Sequence, residues 1–132
     1  HVVTRRQRQM CIRDRYMTAR NEGSIFFTGA TASIRGGSGF SAFASAKFAL
    51  RAISQSMARE LGPQGIHVAH FIIDGAIDTA FIKENFPDRY ALKEKDGILQ
   101  PNAIADAYWF VHTQHRSAWT HELDLRPYME KF

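Results

Sequence analysis

The sequence predicts an α/β fold, a three-stranded parallel sheet with flanking helices. Three observations predict it. Short apolar segments at 24–28, 66–73 and 120–125 have the length and residue types of strands. Helical patterns separate them, giving the order strand, helix, strand, helix, strand. Connections of this length require parallel pairing with right-handed crossovers. No internal repeat or low-complexity tract interrupts the order.

The elements follow in sequence. Residues 16–20 fit the last turn of a helix, and Asn21-Glu22-Gly23 turns the chain. Ser24 to Thr28 is an apolar strand that reads as buried on both faces. Residues 29–39, rich in Gly, Ser and Thr, are loop. A long helix is expected over 41–61, because Ala42, Ala46, Ala49, Ile53, Met57 and Leu61 recur at spacings of three and four. Gly62-Pro63 stops it. Ile66 to Ile73 is the second strand, and Asp74-Gly75 turns the chain again. Residues 76–98 suit short helices. Pro101-Asn102-Ala103 opens another helix, with Trp109 and Phe110 expected to pack it against the third strand, Thr120 to Leu125. Arg126 to Phe132 form a short tail.

The formal charge of +4 would suggest an anionic partner. Its location argues otherwise. Five arginines and Asp14 put the whole excess in residues 1–15, and residues 16–132 are formally neutral. Arg5 to Asp14 also matches, residue for residue, one reading frame of a common transposase-type sequencing adapter. Residues 1–15 are therefore read as a non-native, disordered segment, with the native start lost. The alternative is a basic arm for nucleic acid. The only cysteine, Cys11, falls in this segment. The rest offers no disulfide framework, which suits a reducing compartment. No run approaches the roughly 18 apolar residues of a membrane span. The expectation is a cytoplasmic domain over 16–132 with no membrane or nucleic-acid partner.

Phe26-Phe27-Thr28-Gly29-Ala30, followed by Phe43-Ala44-Ser45-Ala46-Lys47, resembles the catalytic segment of the short-chain dehydrogenase/reductase family. Ile34-Arg35-Gly36, Glu60-Leu61-Gly62, Gly65-Ile66-His67-Val68, Gly75-Ala76-Ile77-Asp78-Thr79 and Pro101-Asn102-Ala103-Ile104-Ala105 match further family motifs in order. The resemblance covers about residues 16–132 and implies the C-terminal half of a Rossmann-type fold. It implies an NAD(P)-dependent oxidoreductase for a small carbonyl or alcohol, homo-oligomeric through the 41–61 helix.

In that family a tyrosine exchanges the proton at the substrate carbonyl, a serine positions the carbonyl, and a lysine lowers the tyrosine pKa and binds the nicotinamide ribose. Carried over by position, Lys47 keeps the lysine's role, Phe43 stands at the tyrosine and Ala30 at the serine. Gly75, Ile77 and Thr79 would face the nicotinamide carboxamide and phosphates. Asp74 replaces the usual proline before Gly75, and the strand is one residue longer than typical. Thr28, Thr31, Ser33 and Ser41 lie near the lost serine as substitute hydroxyls.

Gly37-Ser38-Gly39-Phe40-Ser41-Ala42 imitates a dinucleotide fingerprint, but a true one follows its strand immediately. It reads as a flexible substrate-side loop. With the glycine-rich half absent, the chain alone is expected to bind no cofactor tightly and to be inactive, NAD or NADP belonging to a full-length parent. The rival is a non-catalytic family member used for binding or oligomerisation. The first strand is also expected to present an unpaired, aggregation-prone edge.

His67 and His70, three apart on a strand, should face opposite sides. His112 and His115 would share a helix face and, with His121, raise a metal site; no acidic residue completes a set, so no metal is expected. Phe81, Phe86 and Tyr90 fall at the family's variable substrate loop, as lid or as packing.

Overall fold

The computed structural model describes residues 15–131, so the expectations for residues 1–14 and Phe132 lie outside it. Arg15 already belongs to a helical turn over 15–20. Strand β1 is Gly23–Thr28, β2 is Ile66–Ile73 and β3 is Glu122–Leu125. Helix α1 is Ser41–Leu61, α2 is Ala80–Asn85, α3 is Pro87–Tyr90 and α4 is Pro101–His112. Short 3-10 turns occur at Thr31–Ser33, Gly62–Gln64 and Ala91–Lys95.

The sheet order is β1-β2-β3, and both pairings are parallel, with Phe26 opposite Ala69 and Ile72 opposite Asp124. β2 is the centre, and all eight of its residues are buried. Its Ile, Val and Phe content suits a strand covered on both faces. On the α1 side, Phe27, Ile66 and Val68 pack with Met57 and Leu61. On the other side, Phe71, Ile73 and Leu99 pack with Val111 and Tyr108 of α4. Tyr108 stacks on Phe71 with ring centres 3.7 Å apart.

α1 ends as its sequence dictates. Gly65, at φ +80°, provides the left-handed turn into β2, and a Cβ there would lie 2.4 Å from the Asn21 carbonyl.

Two sequence expectations are corrected, and the buried face of α1 is defined. β1 is not buried on both faces: Phe27 alone is buried there, because β1 is the sheet's edge and the Phe26 side opens on a cavity. Trp109 and Phe110 are 66% and 63% exposed, since Ile104, Tyr108 and Val111 occupy the sheet-facing side of α4. α1 buries Ala44, Ser54, Met57 and Leu61, whereas Ala42, Ala46, Ala49 and Ile53 face outward.

Candidate functional site

The residues singled out by the sequence gather at the C-terminal ends of β1 and β2. Ligands of open parallel sheets bind at this edge, where the connecting loops leave the strands. Two turns into α1, Lys47 reaches back to the end of β1. Its Nζ donates to the Thr28 carbonyl at 2.9 Å and lies 5.7 Å from the centre of the Phe43 ring. The cation is thus placed against an aromatic face that has no proton to give. Two of its three N–H groups have no protein partner among the described residues. Phe43 is 49% exposed.

Ala30 begins the 3-10 turn after β1, and its N–H donates to Ser33 Oγ at 3.1 Å. The neighbouring hydroxyls part company. Thr28 Oγ1 pairs with the Tyr108 hydroxyl at 2.7 Å, toward α4. Ser33 is fully buried. Ser41 is exposed at the start of α1. Thr31 donates to Asp74 Oδ1, tying the loop after β1 to the loop after β2. Asp74 is 3% exposed, and Arg126 holds its other oxygen at 3.2 Å.

Gly75, Ile77 and Thr79 line the second loop. Gly75 has φ +144°, and a Cβ there would come 2.9 Å from Pro127, so the fold itself requires glycine. Ile77 pairs with Leu99 in an isolated bridge. Thr79 caps α2, its hydroxyl accepting from the Ile82 N–H at 3.3 Å. A cavity of about 600 Å³ opens beside this edge, lined mainly by apolar groups including Phe26, Ile73, Ile77, Ile104 and Tyr108. The uncommitted N–H groups of Lys47 fit a ribose, and Ile77 fits an apolar ring face. The Gly37–Phe40 loop is exposed and lies off the strand ends.

A polar cluster that the sequence did not reveal lies beneath, between α1 and the sheet. Arg51 grips Glu122 with two hydrogen bonds of 2.7 and 2.8 Å, and His70 Nδ1 donates to the same carboxylate at 3.0 Å. Burial pushes Glu122 up, but the hydrogen bonds from Arg51 and His70 outweigh it and leave the carboxyl below its usual range. Burial holds His70 below the ordinary imidazole value, against the pull of Glu122. His70 Nε2 lies where a Cβ on Gly29 would be only 2.3 Å away, so Gly29 is needed for close approach.

The histidines divide as their strand spacing requires. His67 faces the other way, stacked on Trp119 at 4.7 Å and donating to the Thr120 carbonyl at 2.7 Å. Burial lowers its pKa also. The shared face expected for His112 and His115 does not form, because α4 ends at His112. His112 pairs with Ser24, His115 with Ser117, and His121 donates to the Val68 carbonyl. Among the described residues no cluster of potential metal ligands forms, and no helix is long and apolar enough to cross a membrane. Phe81 and Phe86 are exposed, with ring centres 6.1 Å apart, so they are not core.

Parallel strands with helices on both faces, a lysine at the strand ends and a bordering apolar cavity define a Rossmann-like α/β domain. The family model for short chain dehydrogenase matches residues 9–90, and the chain belongs to that family. The match starts within the adapter-like segment.

A short-chain dehydrogenase from Rhodopseudomonas palustris is 53% identical, with a TM-score of 0.64 over 86% of this chain and 42% of that one. Serine dehydrogenase complexed with NADP+ is 17% identical, with a TM-score of 0.76 over 96% of this chain and 52% of its own. A putative betaketoacyl-ACP reductase is 23% identical, at 0.70 over 93% and 54%. The last two show the fold alone. The chain spans about half the length of these structures or less. No curated protein matches it.

Proposed function

We propose that this chain is the C-terminal half of an NAD(P)-dependent oxidoreductase for a small carbonyl or alcohol. The observation that carries the reading is Lys47, held at the end of β1 with two N–H groups uncommitted. In this reading Lys47 holds the nicotinamide ribose, and Gly75, Ile77 and Thr79 face the carboxamide and phosphates. NAD(P) supplies the hydride chemistry when bound, and the chain orients it. The reading includes weak cofactor binding and no turnover by the chain alone, a cytoplasmic location, and homo-oligomers through the outward face of α1, where Phe48 and Ile53 are each 43% exposed. Residues 1–15 take no part, and their deletion leaves binding unchanged.

Ala30 and Phe43 favour a second reading, a non-catalytic member used for binding or assembly. Proton transfer is worth about 10²–10⁴-fold, and neither residue can supply it. The test is fluorescence titration of NADH and NADPH on this chain and on a full-length protein carrying it. Binding by the full-length protein alone supports the dehydrogenase. Binding by neither gives the lead to the second reading. If turnover then appears only with Ala30→Ser and Phe43→Tyr together, the native site lacks the usual reductase chemistry.

A further inference from the structure

We propose that Thr31 accepts the substrate's proton at this site, backed by Asp74, and that the substrate enters as an alcohol. This rests on the oxidoreductase reading above. Of the four hydroxyls near Ala30, Thr28 is paired on the α4 side, Ser33 is sealed in the interior, and Ser41 stands out in solvent at the start of α1. Thr31 remains, partly exposed and directly after Ala30. Its proton is committed to Asp74 Oδ1. What remains to its oxygen is therefore acceptor capacity alone. A ketone needs a donor, and the two positions that would supply one are Ala30 and Phe43. An alcohol brings its own donor and needs an acceptor.

Asp74 is buried and reaches a substrate only through Thr31, which makes it a positioning residue. Arg126 is the charged group facing it, itself paired with Asp124 and lying in the field of Glu130. Arg126 holds the Asp74 carboxylate turned toward Thr31. This gives a role to an acidic residue in place of the family's proline.

The step balances. The alcohol O–H bond breaks, and its proton passes to Thr31 Oγ1 as the Thr31 proton passes to Asp74 Oδ1. The carbinol C–H bond breaks with its electron pair, and the hydride goes to oxidised NAD(P). The alcohol is oxidised to a carbonyl by two electrons, and once the product leaves the proton on Asp74 returns to water by the same relay through Thr31 Oγ1.

The test uses the full-length protein with cyclohexanol and cyclohexanone as probes. Thr31→Val should lower kcat for cyclohexanol oxidation by about 10²-fold, and Thr31→Ser should restore most of it. Asp74→Asn should lower kcat for cyclohexanol oxidation about as far as Thr31→Val does, with cofactor affinity unchanged within about twofold. In the 132-residue chain, nuclear magnetic resonance should show a slowly exchanging Thr31 hydroxyl proton that Asp74→Asn abolishes. Full activity of Thr31→Val with cofactor bound, or an unchanged kcat in Asp74→Asn, overturns the proposal and leaves the oxidoreductase reading standing. Failure of the full-length protein to bind either cofactor overturns both.

Discussion

His70 shows how one residue couples burial, charge and loop position. It is fully buried and donates to a carboxylate that Arg51 already holds, and its second nitrogen abuts Gly29. Its folded pKa is lowered, as is that of His67, while both titrate near their ordinary value of 6.5 in the unfolded chain. Below about pH 6.5 the unfolded state therefore binds more protons, and stability falls with pH toward the folded pKa values; above that range it is fully present. Urea midpoints at about pH 7.5 and 5.5 should show this loss, and His70→Gln should shrink it. An equal loss in the variant would rule His70 out as a source. Gly29→Ala should destabilise by about 1–3 kcal/mol in the same melts, because the Cβ meets His70 Nε2 at 2.3 Å and Ser33 Oγ at 2.6 Å.

At the scale of elements, α4 separates packing from exposure. Tyr108 stacks on Phe71 and Val111 is wholly buried, while the neighbouring Trp109 faces outward. Phe71→Ala should cost about 3–5 kcal/mol. Trp109→Glu should cost less than about 0.5 kcal/mol and reduce self-association seen by light scattering. A large loss of stability in Trp109→Glu would mean that the helix face is assigned wrongly.

The strands and helix ends were legible because Gly62-Pro63, Gly65 and Pro101 punctuate the chain and β2 is continuously apolar. The inward face of α1 was legible only toward its end, at Met57 and Leu61. Small or polar side chains such as Ala44 and Ser54 occupy the rest of it, so size and apolarity give the period no weight there, and aromatic residues occupy the outside. Lys47, Phe43 and Ala30 could be placed by motif spacing. The Thr31–Asp74 bond and the Arg51–Glu122–His70 cluster could not, because the bonded residues lie 43 to 71 positions apart, and only the fold brings them together.

For the whole molecule, the order β1-β2-β3 makes the middle strand of the sequence also the middle strand in space. Two long crossovers must both close before its backbone is shielded on both edges. β1 carries an open edge, and β3 pairs through only four residues. Deuterium should therefore enter the β2 amides more slowly than the outward amides of β1, which have no strand partner among the described residues and exchange through local fraying. Mass spectrometry of peptides from the two strands would read that difference, and equal rates would contradict it. The central strand thus works as a gauge: its slowest-exchanging amides report the stability of the entire fold, and the difference between those facing β1 and those facing β3 reports which neighbour opens first.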